Sequence, residues 1–287
     1  MVALLEHTNS LSVHSDVLTE VTCNALLHFT DLKELVLSSV DMDDDDFKLL
    51  CRCVQQITVL HIESSCTSEH GMSHISELKN LVELELSHCC FSDSVLKYIG
   101  RVFTLRRIAL KYCHNVTDEG VAFLSALEHL EELQLIKCEK LRGFQSLTGL
   151  RNLRRIDLSE SLIDDKGCMY VAMLPYLTHL NVRDCRELNG EGFRHVCLIR
   201  TLRVLWVSLS TSVSARSSRV RIGPSSFARI SLLKCLEELR ITDDWLSEDT
   251  LMCLKGVSSL KKLDLSDVIY LNHLDFSIFP NNLTILK

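Results

Sequence analysis

The chain has 287 residues, a formal net charge of -7 and a composition in which 46% of the residues are hydrophobic. Its 10 glycines and 3 prolines are too few for a collagen or for a disordered, low-complexity chain. Residues 1–100 carry 16 acidic and 5 basic side chains, and this acidic end argues against general nucleic-acid binding, which needs a strongly basic surface.

The first residues, Met1 to Glu6, are too few and become charged too early to act as a signal peptide. No run of 18 apolar residues occurs, so we expect no membrane-spanning helix and no membrane partner. The 13 cysteines include no CxxC pair, which argues against a zinc site. Together these features predict free thiols in a reducing, intracellular compartment, the cytoplasm.

One pattern recurs along the whole chain: an aliphatic residue at position one, followed by aliphatic residues at positions four and six. Ten of the eleven intervals between successive first positions are 23 to 25 residues long. The first positions are Thr8, Leu32, Ile57, Leu81, Leu105, Leu130, Leu153, Leu177, Leu202, Leu236, Leu260 and Leu283. Since positions four and six are two residues apart, they face one side of a short strand.

A helical pattern follows each predicted strand. In the fifth repeat, Val121, Leu124 and Leu127 share one helix face. Neither a lone strand nor a lone helix can bury its apolar side, whereas stacked repeats can. The sequence therefore predicts one α/β domain over residues 1–287, a solenoid of about 12 repeats with a parallel inner sheet and outer helices.

Short polar residues precede the helical runs and are predicted to cap the first turn of each helix. They are Ser92, Thr117, Asp164, Asn189 and Ser247. The acidic run of residues 43–46 occupies the same place in the second repeat, so we interpret it as a solvated helix start rather than a cation site. In the sixth repeat, Gly143 and Gly149 predict a shorter and looser outer segment.

The ninth repeat is the exception in length, with an interval of 34 residues to the next repeat. The extra segment, at about residues 210–224, is rich in serine, contains Arg216, Arg219 and Arg221, and ends in Gly223-Pro224. Two interpretations stay open, a binding loop added to a regular solenoid and a neutral insertion at a tolerant site.

The fifth repeat, which runs from Leu105 through Cys113 to Thr117-Asp118 and Val121, resembles the cysteine-containing, ribonuclease-inhibitor-like class of leucine-rich repeat. That class is found in the substrate receptors of F-box ubiquitin ligases. Cysteine recurs at the ninth position as Cys89, Cys113, Cys138 and Cys185. The compact sixth repeat also resembles leucine-rich repeat proteins of trypanosomes. The resemblance implies a horseshoe-shaped leucine-rich-repeat solenoid.

The ninth-position cysteines have a structural interpretation. At this position the chain leaves the strand and turns inward, and a small side chain with a weak S–H donor fits between successive coils. We therefore expect the four cysteines to form a buried ladder rather than a metal or redox site.

The common catalytic motifs are missing from the sequence. GxxxxGK[ST], GxGxxG and GxSxG do not occur, and His70 and His74 lack the glutamate of a metalloprotease motif. We expect neither an enzyme nor a bound metal or cofactor.

Positions three, five and seven of each strand are predicted to line the concave surface, where a partner protein binds. Trp206, at position five, is the expected anchor because tryptophan buries a large area at low entropic cost. Its predicted neighbours are His179, Asn181, Arg183 and Arg240, a setting that suits an acidic or amphipathic peptide. Further candidates on this surface are Gln134, Asp157, Arg107, Glu85 and His61. An alternative is that the insertion covers Trp206.

We therefore predict a non-catalytic scaffold that binds another protein on its concave surface. Two alternatives stay open. One is the substrate-recognition part of an F-box-type ubiquitin ligase. The other is a regulator of a GTPase or a nucleotide cyclase. In that case an arginine of the insertion would serve as an arginine finger, which stabilises negative charge in the transition state of the regulated enzyme.

Overall fold

The computed structural model describes residues 8–14, 17–64, 68–209, 222–271 and 275–287. The chain forms two compact units, residues 1–140 and residues 141–287. Each is built from strand and helix repeats at the predicted spacing. The single domain over residues 1–287 stays a prediction.

In the first unit, six strands pair in parallel, each with the next in chain order. They are β1 (Ser10–His14), β2 (Glu34–Ser38), β3 (Val59–Glu63), β4 (Glu83–Ser87), β5 (Arg107–Lys111) and β6 (Glu132–Ile136). The helices between them are α1 (Glu20–Leu26), α2 (Asp44–Cys53), α3 (Asp93–Ile99) and α4 (Asp118–Ala122), with 3₁₀ helices at Gly71–Glu77 and Phe123–Ala126.

The second unit repeats this arrangement, again with parallel pairs in chain order. Its strands are β7 (Arg155–Asp157), β8 (His179–Val182), β9 (Val204–Ser208), β10 (Glu238–Trp245), β11 (Lys262–Tyr270) and β12 (Thr284–Leu286). Its helices are α5 (Asp165–Val171), α6 (Gly190–Val196), α7 (Pro224–Phe227) and α8 (Glu248–Cys253), with 3₁₀ helices at Gln145–Gly149, Ala228–Leu232 and Leu254–Gly256. This architecture is a leucine-rich-repeat solenoid, as predicted.

The core follows directly from the repeat pattern. In repeats two to eleven, every residue at positions four and six is at most 2% exposed. Leucines of neighbouring strands lie opposite one another, as in the pairs Leu35–Leu60 and Leu60–Leu84. The aliphatic face of each strand is therefore fully buried between the sheet and the helices only when the preceding and the following repeats are both present.

The predicted helix caps are confirmed. The backbone N–H of Asp46 donates to Asp43 Oδ1 at 2.8 Å, and Gly167 N–H donates to Asp164 Oδ1 at 2.8 Å. Ser92, Thr117, Asn189 and Ser247 cap α3, α4, α6 and α8 in the same way. The acidic run of residues 43–46 is thus the cap and first turn of α2.

The outer segment of the sixth repeat is short, as predicted, but it is tightly packed rather than loose, since Phe144 and Leu147 are both 0% exposed. Its outer segment is the 3₁₀ helix Gln145–Gly149 instead of an α-helix. Phe144, which precedes that helix, is fully buried and adopts a left-handed backbone conformation with φ of 52°.

A regularity that the sequence did not reveal lies at position eight. Seven residues there have positive φ values between 48° and 57°: Ser39, Ser64, His88, Tyr112, Lys137, Glu160 and Asp184. In this turn, the N–H of one repeat reaches the next repeat, as when Ser39 donates to the Glu63 carbonyl at 2.9 Å. The hydrogen bond offsets the cost of a left-handed backbone without glycine.

The structure corrects the register of the last repeat. Ile285 pairs with Leu263, and Leu286 pairs with Asp264, so Leu286 occupies position five rather than the predicted position four. Since Leu283, Ile285 and Leu286 are all aliphatic, the sequence pattern could not choose between the two registers. A slip of one residue moves a side chain to the opposite face of a sheet.

The four ninth-position cysteines are all buried, and none of them forms a disulfide. Each thiol donates to a carbonyl of the preceding repeat: Cys89 to Ile62 at 3.7 Å, Cys113 to Leu86 at 3.5 Å, Cys138 to Leu110 at 3.6 Å and Cys185 to Leu158 at 3.1 Å. Burial raises the pKa of the Cys113 thiol to about 11 and that of the Cys138 and Cys185 thiols to about 12. These thiols stay protonated at neutral pH and serve as donors.

Within the described residues, no helix combines the length and the apolar composition needed to span a bilayer.

The packing predicts different costs for two leucine truncations. Leu133 is 0% exposed in β6, so Leu133→Ala should lower the free energy of unfolding by ~2–5 kcal/mol. Leu286 is 41% exposed, so Leu286→Ala should cost much less. Urea unfolding followed by circular dichroism measures both. Equal losses would contradict the register that places Leu286 opposite Asp264.

The thiols give a second prediction. Rapid alkylation of native protein should modify the exposed Cys90 and Cys235 first, and Cys113, Cys138 and Cys185 only after unfolding. Mass spectrometry without reduction should find no disulfide. Two or more stoichiometric disulfides in freshly isolated protein would contradict both the ladder and a reducing compartment.

Candidate functional site

Residues at positions three, five and seven of the strands lie on the side of the sheet away from the aliphatic core, which we call the open face. In the second unit, the position-five residues lie opposite one another in the order Asp157, Asn181, Trp206, Arg240 and Asp264. The register of β8, β9 and β10 therefore places Asn181 and Arg240 on the two strands that flank Trp206.

Trp206 is half-buried and lies between two arginines. The guanidinium carbon of Arg240 is 5.4 Å from the centroid of the indole ring, and that of Arg183 is 5.8 Å from it. Both distances are within the range of cation–π attraction. The two arginines, on β10 and immediately after β8, hold the indole in one place on the open face.

Both arginines share one carboxylate, that of Asp267 in β11. Arg240 Nη2 lies 2.7 Å and Arg183 Nη1 lies 3.6 Å from Asp267 Oδ2. Asp264 forms a longer ion pair with Arg240, with Asp264 Oδ2 lying 3.9 Å from Arg240 Nε. Asp264 and Asp267 thus offset the positive charge that the sequence predicted around Trp206.

The contact of Asp267 with the arginines depends on an irregularity in the sheet. β10 and β11 are in register from Glu238 to Arg240, but Thr242 pairs with Asp267 rather than with Ser266. This bulge shifts the register by one residue and is the reason why the regular repeat did not identify Asp267 as a site residue.

The carboxylate of Asp264 is held ionised. Burial alone would raise its pKa, but hydrogen bonds from the hydroxyl and N–H of Ser266, with the charges of Arg240 and Lys262, lower the pKa below its usual value. Ser266 Oγ donates to Asp264 Oδ1 at 2.6 Å. Asp264 therefore carries a fixed negative charge beside Arg240, on the neighbouring strand, at neutral pH.

Asn181 and Asp157 support this arrangement from the neighbouring strands. Asn181 Nδ2 donates to Asp157 Oδ2 at 2.8 Å, and Asn181 Oδ1 accepts the N–H of Arg183 at 3.1 Å. Asn181 is only 8% exposed, so it fixes the chain beside Arg183 rather than offering a contact surface. His179, also half-buried, bonds through Nδ1 to Thr178 Oγ1 at 2.8 Å.

Four of the sequence candidates belong to the first unit. His61, Glu85, Arg107 and Gln134 all occupy the open face of β3 to β6. Arg107 is paired with Glu83 at 2.5 Å, and Glu85 is paired with Lys111 at 2.7 Å. These side chains form a network of polar contacts and contain no large aromatic group.

The remaining candidates, Arg216, Arg219 and Arg221, lie outside the described residues. So does the rest of the insertion up to residue 221, and covering of Trp206 by this segment stays a prediction.

Chemically, the open face of the second unit offers an aromatic surface with charged and amide neighbours. In the described ranges no group of three or more histidine, cysteine or acidic side chains is placed to hold a metal ion.

Comparison with known proteins agrees with the fold. The family model described as "Leucine Rich repeat" matches residues 77–100 and 174–194. The solved structure of an internalin from Listeria monocytogenes superimposes with a TM-score of 0.59, at 18% sequence identity, covering 99% of this chain and 82% of the internalin. At that identity the likeness concerns the fold alone.

Two curated relatives carry the resemblance further. A "Putative adenylate cyclase regulatory protein" of Trypanosoma equiperdum is 25% identical over 66% of this chain and 30% of its own length. A "Putative F-box/LRR-repeat protein 23" of Arabidopsis thaliana is 30% identical over 46% of this chain and 29% of its own length. The chain thus spans about a third of the length of these relatives.

The predicted resemblance to F-box-associated and trypanosome repeats is confirmed by these matches. The repeat spacing, the parallel strand pairing and the family match together show a leucine-rich-repeat fold, and in sequence the chain is similar to leucine-rich repeat proteins.

Proposed function

We propose that this chain is a non-catalytic scaffold that binds a partner protein on the open face of its second unit. The observation that carries the proposal is the position of Trp206, a large aromatic side chain on the open face that two arginines hold in place. Tryptophan and arginine are the residues most enriched among the energetic centres of protein interfaces.

The site is built to present the indole at low entropic cost. Trp206 lies within a hydrogen-bonded strand, and Arg183 and Arg240 are themselves fixed by Asp267. Binding therefore freezes few additional rotamers, which favours affinity for a given contact area.

The charges narrow the type of partner. Because Asp264 and Asp267 offset the two arginines, net charge alone does not select an acidic segment. The site suits an amphipathic segment, with an apolar side chain against the indole and polar groups facing the arginines and carboxylates.

The likeness to an F-box/LRR-repeat protein favours one narrower function, substrate recognition for an F-box-type ubiquitin ligase. In that case, affinity purification should recover ubiquitin-ligase scaffold proteins together with the chain.

The likeness to a putative adenylate cyclase regulatory protein favours another, regulation of a nucleotide cyclase or a GTPase. Cyclase and GTPase assays with Arg216, Arg219 and Arg221 each changed to Ala would separate this function from passive binding.

A reducing, intracellular location is part of the proposal. It is supported by the twelve cysteines of the described residues, which form no disulfide and several of which are buried as thiol donors.

The proposal predicts the effect of removing the indole. Partners are first identified by affinity purification and mass spectrometry with the unaltered chain. Trp206→Ala should then weaken binding of the principal partner by ~2 kcal/mol or more, about thirtyfold in Kd, and barely move the melting temperature. Titration calorimetry and thermal unfolding measure the two effects.

Met252→Ala is a matched control, since Met252 is an apolar residue 48% exposed on α8 in the same unit. It should leave the affinity unchanged. A Trp206→Ala protein that melts at a lower temperature yet binds normally in the cold would contradict the site.

A further inference from the structure

A second surface of the second unit differs in character from the open face. It comprises the residues that lead into the strands β7 to β11. Because the strands are parallel, these residues lie in a row along the N-terminal ends of the strands. The seven residues before each of these five strands include seven bases and a single acid, Glu237. The bases, which we call the basic edge, are Arg151, Arg154, Arg200, Arg203, Lys234, Lys255 and Lys261.

The first unit provides an internal comparison. The corresponding residues before β2 to β6 include five bases and four acids. The fold alone therefore does not require a positive edge, since the same turns are made there with balanced charge.

Three cations of the basic edge make contacts within the chain, and three others are exposed without an ion-pair partner among the described residues. Arg203 and Lys261 both contact Glu237, at 2.5 and 2.7 Å, and Arg154 lies 5.9 Å from the ring centroid of Tyr176. In the part of the chain that the structure describes, Arg151, Arg200 and Lys234 are exposed and have no ion-pair partner.

Exposed apolar side chains accompany these cations. Met173, Leu198 and Leu232 each lie four residues before the first leucine of a repeat and are 63%, 56% and 45% exposed. Tyr176 adds a fourth exposed apolar surface, at 53%. The residues that follow, Leu174, Ile199 and Leu233, are buried, so each apolar tip is fixed at the same place in successive repeats.

Equivalent positions in the first unit lack such a row. They hold His28, Cys53, Glu77, Arg101 and Ala126. Scattered apolar residues are ordinary on a protein surface, but a row of them in register, next to unpaired cations, marks an interaction surface.

We infer that the basic edge and its apolar row form a second docking surface, and that it takes an acidic amphipathic helix of a partner protein. Charge complementarity calls for acidic side chains on the ligand. An α-helix with a pitch of about 5.4 Å presents one apolar residue per turn, close to the strand spacing of about 4.8 Å between successive repeats. This surface does not depend on the Trp206 site.

The test uses a defined probe, a fluorescein-labelled synthetic helix of about 18 residues with leucines along one face and glutamates elsewhere. Fluorescence anisotropy should show binding that weakens from about 50 to about 300 mM salt. A counterpart with lysine in place of glutamate should not bind. The double variant Arg200→Glu/Lys234→Glu should lower the affinity roughly tenfold or more, and Leu198→Ser should also lower it.

Two controls separate this surface from the rest of the molecule. Lys79→Glu/Arg101→Glu makes the same charge change on the corresponding edge of the first unit and should leave binding unchanged. Trp206→Ala should also bind the probe normally, so failure of the proposed scaffold site and failure of the basic edge are distinguishable.

Three results would overturn the inference. The glutamate probe does not bind, or binds equally well to the Arg200/Lys234 double variant. Phosphatidylserine-containing vesicles bind through these residues while the probe does not, which assigns the edge to a membrane. The unaltered chain self-associates in sedimentation equilibrium and the double variant does not, which makes the occupant a second copy of this chain.

Discussion

A strand and its helix in this chain can bury their aliphatic sides only against the coils before and after them. The leucines at positions four and six depend on this stacking, and so do the backbone N–H groups that reach the next repeat at position eight. Both sets of interactions are made between neighbours, so stability accumulates repeat by repeat instead of arising from one central nucleus. The surfaces that the chain presents are consequences of this stacking.

The candidate binding site shows how the stacked repeats bring functional side chains together. Successive strands bring Asn181, Trp206 and Arg240 side by side although 25 and 34 residues separate them in the chain. The stacked strands determine where these side chains lie, and the residue types at alternate strand positions determine what the surface can bind. A change of partner therefore requires no change in the core.

The sequence predicted those features that repeat and missed those that break the repeat. Local chemistry within each single repeat was enough to predict the strand positions, the helix caps at Asp43 and Asp164 and the short outer segment of the sixth repeat. The role of Asp267 depends on a bulge between two strands, which no single repeat encodes. The register of Leu286 was ambiguous because adjacent aliphatic residues satisfy either face. The left-handed turn at position eight was missed because no glycine marks it.

That turn limits how the chain can diverge. The seven residues that adopt it include serine, histidine, tyrosine, lysine, glutamate and aspartate, but none is branched at Cβ. A left-handed backbone is a severe strain for valine, isoleucine or threonine and a modest one for unbranched side chains. The turn therefore accommodates side chains that differ in charge and size, and two of them, His88 and Tyr112, stack their rings with centroids 4.3 Å apart. This turn therefore disfavours residues branched at Cβ and excludes proline, whose ring fixes φ at about −65°.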